Sequence, residues 1–274
     1  MTVATTALNK ASLGASVAAI AKRTWLKFIR SPQLVVVGTI QGAMFLLIFR
    51  YVFGGAISFQ TIGAGGKISY TNFLVPGFIT TGLIFGGMSA AAGIAEDREL
   101  GFFDRLRSLP IPRSSVLAGR ALADTATQIW GLVVMIVIGF AVGFRLGGSI
   151  GSALLALALL VLYGFVLEWT FIALGFFAAN AQAAQGMSLL LIPFVFISSS
   201  FVPVKSMPSW LQGVAAHQPI TYMIDSVRTL TLGSEVETFL GHSSSYYVLR
   251  SLAWSIPIIV LFATISIRRF RRGA

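Results

Sequence analysis

The sequence contains no cysteine, only two histidines and few charged residues, which make up 11% of its 274 positions. Without cysteine the chain cannot form disulfide bonds, iron–sulfur clusters or thiolate metal sites. The two histidines, His217 and His242, are too far apart for the H-E-x-x-H spacing of a zinc hydrolase. This inventory of side chains argues against an enzyme.

A phosphate-binding loop is also missing. Residues 63–67 read GAGGK, but Thr61 stands where such a loop has its first glycine and Ile68 where it has serine or threonine. We interpret this segment as a flexible loop. The chain is therefore not expected to bind ATP by itself.

What the sequence has in excess is apolar surface. Hydrophobic residues make up 56% of the chain, phenylalanine occurs 22 times, and the mean hydropathy is +0.84. One water-soluble core cannot bury so much apolar surface, so most of the chain must lie in a lipid bilayer, which a helix of about 20 apolar residues crosses. Six such windows predict an all-α membrane protein that is a single domain over residues 1–274, with spans near 33–53, 73–95, 118–143, 151–178, 186–203 and 247–267.

The distribution of lysine and arginine predicts the orientation. Most of the 20 basic residues lie before the first span, between spans 2 and 3, or after the last span. Cytoplasmic segments are enriched in such residues, so both termini are predicted to be cytoplasmic and the protein to lie in the inner (plasma) membrane. The net charge of +11 is explained by this topology and by anionic membrane lipids, without a nucleic-acid partner.

Residues 1–31 are predicted to form a cytoplasmic tail and an interfacial helix. Apolar side chains recur at helical spacing while most basic ones lie off that stripe, and Ser31-Pro32 ends the pattern. The stripe consists of Leu13, Val17, Ile20, Ala21, Trp25 and Phe28.

One acidic residue is predicted deep in the membrane. Glu168 lies roughly 13 Å from the cytoplasmic end of span 4, given about 1.5 Å per helical residue. An ionised side chain there is costly unless it faces protein or water. Glu168 would therefore either form a hydrogen bond with a neighbouring helix or contact a cationic or hydroxylated substrate. Asp124 is shallower and stands four residues after Arg120, which predicts an ion pair on one helix.

Charge is concentrated in residues 96–113, EDRELGFFDRLRSLPIPR, on the predicted cytoplasmic side. Over residues 97–108 a helix would gather Leu100, Phe102, Phe103 and Leu106 on one side, and the prolines that follow would end it. Such an amphipathic helix could anchor the chain at the membrane surface. Its mixed charge suits a protein partner better than an anionic bilayer.

The chain resembles the permease subunits of ABC-2 type exporters, especially the drug-resistance branch typified by daunorubicin efflux permeases. The resemblance rests on the acidic, aromatic and proline-containing segment 96–113, on LVPGF at 74–78, and on QPITYMIDSVR at 218–228, where Gln218 replaces the usual asparagine. It covers nearly the whole chain, including the number of spans.

The resemblance implies a type V ABC exporter-like transmembrane domain that works with two copies of a separate ABC ATPase subunit and with a second permease copy or a sister permease. ATP and Mg²⁺ would bind to the ATPase, and this chain would bind no cofactor. Residues 97–108 would be a coupling helix seated in the ATPase, and residues 180–185 a smaller contact. The implied contact residues are Glu96, Glu99, Gly101, Phe102, Phe103, Arg105 and Leu106.

Residues 204–228, apolar but broken by proline, would form a re-entrant segment before the last helix, as the resemblance implies. Re-entrant backbone is tolerated only where protein or water covers it. A surface loop is the alternative.

The resulting interpretation is the permease of an ATP-driven exporter for an amphipathic drug or lipid-like molecule. An ABC-2 permease for a polysaccharide or teichoic-acid-type glycan is an alternative, as is an ion-coupled secondary transporter, although the chain lacks the several mid-membrane carboxylates and the internal repeat that the latter would need. The substrate path would be lined mainly by spans 1, 2 and 5, although phenylalanines there could equally face lipid or pack. The candidate lining residues are Phe45, Phe49, Phe78, Phe85, Glu168, Met187 and Phe194.

Overall fold

The structure is a computed structural model that describes residues 13–30, 32–54, 68–107 and 113–272. The predicted N-terminal tail, the glycine-rich loop at 63–67 and the prolines at 110 and 112 lie outside these ranges. Within them the chain is almost entirely helical and contains no β-strand. The helices are α1 (Leu13–Ile29), α2 (Pro32–Ile48, continued by a π-helical turn at Phe49–Phe53), α3 (Tyr70–Glu99), α4 (Phe102–Arg107), α5 (Arg113–Ala141), α6 (Ile150–Phe177), α7 (Ala181–Ser188), α8 (Ile192–Ile197), α9 (Ser209–His217), α10 (Pro219–Leu232), α11 (Ser234–Leu240) and α12 (Ser244–Arg272).

Five helical segments in the described residues are long and apolar enough to cross a membrane: Val36–Phe53, Tyr70–Glu99, Val116–Ala141, Ile150–Phe177 and Ser244–Arg272. They match five of the six predicted spans. The sixth, predicted over 186–203, is not confirmed. A 3₁₀ turn at Leu189–Leu191 separates α7 from α8, and α8 ends at Ile197, so the apolar helical stretch Ala181–Ile197 is shorter than the other five.

The centre of the bundle is formed by α3 and α6, with α5, α10 and α12 packed around them. A small buried polar junction connects three of these helices. The Tyr163 hydroxyl on α6 lies 2.8 Å from the Ser226 hydroxyl on α10 and 2.6 Å from the Ser251 hydroxyl on α12. These hydrogen bonds satisfy the hydroxyl groups, which would be unfavourable if buried without partners.

Gly87 of α3 is a point of close contact between the two central helices. A Cβ atom built on Gly87 would lie 2.0 Å from Cδ2 of Phe171 on α6, and the Phe171 ring is fully buried. Only hydrogen in place of a side chain leaves room for this ring.

Gly87→Ala is therefore expected to lower the free energy of unfolding by about 1–3 kcal/mol, because the added methyl group overpacks the α3–α6 contact. Gly82→Ala is the matched control on the same helix, since nothing lies within 4 Å of a Cβ atom there. Thermal denaturation of the purified variants in detergent measures the difference. Equal stability of the two variants would contradict the close packing at Gly87.

The predicted N-terminal helix exists as α1, but its buried side differs from the predicted stripe. Ser16, Ile20 and Thr24 are buried, whereas Trp25 is exposed. The reason is that α1 packs along α5, where a Cβ atom on Gly119 would lie 2.8 Å from the Val17 carbonyl oxygen. The buried face of α1 is thus set by a neighbouring helix.

Residues 204–232 form helices, so the alternative of a surface loop is wrong for most of this segment. α10 is buried from Ile220 to Leu230 between α3, α6 and α12. The helical part of the re-entrant prediction is confirmed, while its depth in the bilayer stays a prediction. Arg228, which lies in this segment, is completely buried.

Candidate functional site

The charged segment after α3 is not one helix. The prediction of a helix over 97–108 is wrong at its start, because α3 continues to Glu99 and a turn at Leu100–Gly101 separates it from α4. Gly101 has φ +65°, a left-handed conformation that glycine adopts without strain and that commonly ends helices. The amide N–H groups of Leu100 and Gly101 donate to the carbonyls of Glu96 and Arg98, which completes the end of α3.

The apolar side of α4 packs against its own chain. Phe103 is only 3% exposed, and its ring centroid lies 5.5 Å from those of both Phe176 on α6 and Phe270 on α12. Leu106 packs against the same cluster, and the Arg23 guanidinium lies 3.8 Å from the centroid of the Phe102 ring. The aromatic stripe that the sequence indicated therefore packs α4 against α6 and α12 of the same chain.

The outward surface of the segment, over the turn and α4, is mixed in charge. Leu100, at the turn, is 66% exposed and is the most prominent apolar side chain there. The exposed charged residues around it are Glu96, Glu99, Asp104 and Arg105. We call Glu96, Glu99, Leu100, Asp104 and Arg105 the coupling surface.

A chain of polar side chains runs from this segment into the bundle. Asp97, buried at the end of α3, accepts hydrogen bonds from Arg23 (3.3 Å) and Arg120 (2.8 Å). Arg120 also donates to Asp124 at 2.5 Å, which confirms the ion pair predicted for α5. Charge-assisted hydrogen bonds of this kind keep buried ions paired.

The polar chain ends at Glu168, which is fully buried on α6. The Gln128 amide on α5 donates from Nε2 to Glu168 Oε2 at 2.6 Å. Glu168 thus forms a hydrogen bond with a neighbouring helix, which was one of its two predicted roles.

Gln128 was missed by our sequence reasoning. Its signal was the four-residue spacing of Arg120, Asp124 and Gln128, which places three polar groups on one face of a membrane helix. Polar residues in such helices usually face the bundle interior.

A second buried polar cluster surrounds Arg228 on α10. Its Nε donates to the Phe73 carbonyl at 3.1 Å and its Nη2 to the Ser199 carbonyl at 2.7 Å, while Nη1 pairs with Asp225. The guanidinium also stacks 3.6 Å from the Phe73 ring centroid. A Cβ atom on Gly77 would lie 2.9 Å from Nη2, so this glycine makes room for the cluster.

Burial lowers the pKa of the Arg228 guanidinium to about 10, and the Asp225 carboxylate opposes that shift. Arg228 therefore stays charged at neutral pH. Because it reaches α3 and the segment after α8 from α10, it connects three separate parts of the chain.

Some of the residues predicted to line the substrate path pack inside the chain, and others are exposed on its surface. Phe49 stacks on Phe201 with 4.5 Å between ring centroids, and Phe78 contacts the same ring edge-on at 6.3 Å. The structure therefore brings Phe49 and Phe78 together through Phe201. Met187 on α7 is half-buried, and the exposed members of the set are Phe45 on α2, Phe85 on α3 and Phe194 on α8.

Residues 15–232 match the ABC-2 type transporter family. The chain belongs to this family. Two of its relatives are named for drug resistance. One is the daunorubicin resistance ABC transporter permease protein DrrB1 of Streptomyces coeruleorubidus, 27% identical over 250 residues that cover 91% of this chain and 83% of the relative. The other is DrrC of Mycobacterium tuberculosis, a permease named for doxorubicin resistance, 25% identical over 84% of this chain and 79% of the relative.

Family membership confirms the resemblance to ABC-2 permeases and its drug-resistance branch. The chain is a non-catalytic permease subunit of an ABC transporter, in which ATP hydrolysis belongs to a separate subunit. The ion-coupled secondary transporter is thereby set aside. A third relative is the putative transport permease ycf38 of Porphyra purpurea, 28% identical over 77% of this chain and 72% of the relative.

Proposed function

We propose that this permease moves an amphipathic drug or lipid-like molecule out of the cytoplasm or the inner leaflet, driven by ATP hydrolysis in a partner. The observation that carries the proposal is α2, an apolar helix of which most of the described side chains, from Val36 onward, are exposed in the single chain. Such a surface needs lipid, an apolar substrate or a second subunit as a neighbour. The drug-resistance names of two relatives agree with an apolar substrate.

The exposed face of α2 supports pairing with a second permease copy or a sister permease. A stripe of large apolar residues on α2 would be covered by a partner helix, and the exposed phenylalanines of α2 and α8 would line the path between the two chains. The exposed residues of this stripe are Val36, Val37, Ile40, Met44, Phe45 and Ile48.

The coupling surface is proposed to contact the ABC ATPase, one ATPase subunit for each of two permeases. It presents charges of both signs around an exposed leucine, which suits a protein groove. The coupling surface is held in place by the aromatic cluster beneath it, in which Phe103 packs α4 against α6 and α12. ATP and Mg²⁺ would bind to the ATPase, and the movement would reach this chain through the coupling surface.

Six crossings with both termini cytoplasmic remain part of the proposal. Arg23 of α1 and Phe270 of α12 both contact α4, so the two ends of the described chain lie at the same end of the bundle. An even number of crossings is needed to bring them there. The stretch Ala181–Ile197, about 25 Å long at 1.5 Å per residue, supplies the additional crossing between α6 and α12.

Transport by the permease together with its ATPase tests the substrate class. Inverted membrane vesicles that contain both subunits are expected to accumulate daunorubicin, or a fluorescent short-chain phospholipid, only when ATP is present, and fluorescence quenching measures the uptake. Vesicles whose ATPase carries an inactivating substitution of its P-loop lysine are the control. ATP-dependent movement of a lipid-linked glycan, with no movement of either probe, would establish the glycan alternative instead.

A further inference from the structure

A groove lies at the end of the bundle opposite α4, where α3 and α6 begin and α5 ends. Its volume is about 130 Å³, which is room for several water molecules, since one needs roughly 10–15 Å³. Three of the helices that are long enough to cross a membrane start or end here, so the groove lies at the level of the lipid headgroups. Its lining includes Asn72 of α3, Arg145, Leu146 and Gly147 between α5 and α6, and Glu235 and Val236 of α11.

Two opposite charges, Arg145 and Glu235, face this groove without pairing with each other. Both side chains are exposed, and within the described part of the chain neither forms an ion pair. Solvent-exposed ions of opposite sign that share a groove offer a positive and a negative contact to one ligand. The groove therefore suits a molecule that carries both signs of charge.

Arg145 is held in position by only part of its hydrogen-bonding capacity. Its backbone N–H donates to Asn72 Oδ1 at 3.0 Å, and its Nη1 donates to the Phe144 carbonyl at 3.0 Å. The guanidinium groups Nε and Nη2 form no hydrogen bond with any residue that the structure describes, which leaves them for a ligand. A guanidinium with free donors is well suited to the oxygens of a phosphate group.

The position of Glu235 follows from a close contact between two backbone segments. The amide N–H groups of Gly147 and Gly148 donate to the Thr231 carbonyl at 3.0 and 3.1 Å. A Cβ atom on Gly147 would lie 2.4 Å from the Leu232 carbonyl oxygen, so only glycine allows this approach. The contact brings the first turn of α11, which carries Glu235, to the same groove as Arg145.

An apolar strip leads from the groove along the membrane. Leu146, which lines the groove, is followed at four-residue spacing by Ile150 and Leu154 on the first turns of α6. Ile150 is 79% exposed and Leu154 62% exposed. Residues four apart share one face of a helix, so this strip offers a surface to hydrocarbon that continues from a headgroup.

We propose that this groove binds a phospholipid with a zwitterionic headgroup of the phosphoethanolamine type. Arg145 would contact the phosphate, Glu235 would accept a hydrogen bond from the primary ammonium, and an acyl chain would lie along Ile150 and Leu154. A choline headgroup has no N–H to donate, and an anionic glycerol headgroup has no positive charge for Glu235. The inference goes beyond the proposed function, because it concerns a bound membrane lipid and requires neither transport nor the ATPase.

Native mass spectrometry of the purified full chain tests the preference. The permease is mixed with equimolar phosphatidylethanolamine, phosphatidylcholine and phosphatidylglycerol of identical acyl chains, and the bound lipids are counted. Phosphatidylethanolamine is expected to be bound at least about threefold more often than either competitor, because losing one partly solvated ionic contact weakens binding by about three- to fivefold. Equal binding of the three lipids to the unmodified chain overturns the proposal without any variant.

Variants assign the two contacts. Glu235→Gln is expected to remove the preference for phosphatidylethanolamine over phosphatidylglycerol. Arg145→Gln is expected to lower phosphatidylethanolamine binding at least about threefold, and Arg145→Lys, which keeps the positive charge, should retain part of it. Arg250→Gln, at an exposed arginine of α12 outside the groove, is the matched control and should leave the preference unchanged. A preference that survives Glu235→Gln, or an equal loss in Arg250→Gln, also overturns the proposal.

Discussion

Replacing Arg228 by methionine is expected to remove most of the folded permease from the membrane. The substitution leaves the Asp225 carboxylate buried without its partner and also leaves the Phe73 and Ser199 carbonyls without a donor. Breaking a buried ion pair by removing one partner commonly costs about 3–5 kcal/mol, which is a large share of the stability of an ordinary domain. Fluorescence-detected size exclusion of solubilised membranes measures the surviving folded fraction.

Two further variants separate the lost ion pair from a general effect of removing charge. Arg250→Met removes an exposed arginine of α12 that lies over the Tyr246 ring, and should cost far less. The double variant Arg228→Met with Asp225→Leu removes both charges, so it should recover part of the folded protein. If Arg228→Met alone were as stable as Arg250→Met, the buried cluster would not hold α10 against α3.

The second large effect is expected at the end of the bundle where α4 packs, where substitutions at Phe103 and Leu100 should impair the permease in different ways. Phe103→Ala removes a ring packed between Phe176 and Phe270, and comparable core truncations cost about 3–5 kcal/mol. The amount of folded permease should therefore fall, and ATP-driven transport with it. Leu100→Asp alters an exposed side chain, so the permease should stay abundant while ATPase co-purification and transport are lost.

Membranes prepared in parallel allow folded permease, bound ATPase and transport to be measured on the same samples. Leu146→Asp, at another exposed leucine that lies at the opposite end of α5 from α4, is the matched control and should leave the ATPase bound. Normal ATPase binding and transport by Leu100→Asp would show that the coupling surface is not the site of contact. Normal abundance of Phe103→Ala would show that α4 is not held by its aromatic cluster.

Long helices were predictable from the sequence, whereas the way they pack was not. Apolar windows located five spans, and the spacing of Arg120 and Asp124 predicted their pairing, because both patterns are local in the chain. The sixth window, 186–203, differs in its bounds from the apolar helical stretch Ala181–Ile197, because apolar composition alone reveals neither the ends of these short helices nor the 3₁₀ turn at Leu189–Leu191 between them.

Contacts between segments that are distant in the sequence explain the remaining differences between the predicted and the observed environments of individual residues. The position of Phe103 on one side of a helix does not reveal whether it contacts a partner protein or its own chain. It packs inside its own chain because Phe176 and Phe270, which are distant in sequence, lie next to it. Arg228 ends the segment that was predicted to be re-entrant, but the carbonyls that accept its hydrogen bonds belong to Phe73 and Ser199. Such long-range partners cannot be read from one sequence without an alignment.

The length of α3 has a mechanical consequence. Its 30 residues measure about 45 Å, which exceeds the roughly 30 Å of the hydrocarbon layer, and Arg228 holds the backbone at Phe73, near the end that begins at Tyr70. The other end leads directly into the coupling surface. A rod of this length that pivots at its Tyr70 end moves its other end by about 4 Å for each 5° or so of tilt. If an ATPase acts on the coupling surface as proposed, α3 works as a lever, and a displacement at Leu100 becomes a smaller displacement at Gly87, about midway along the helix.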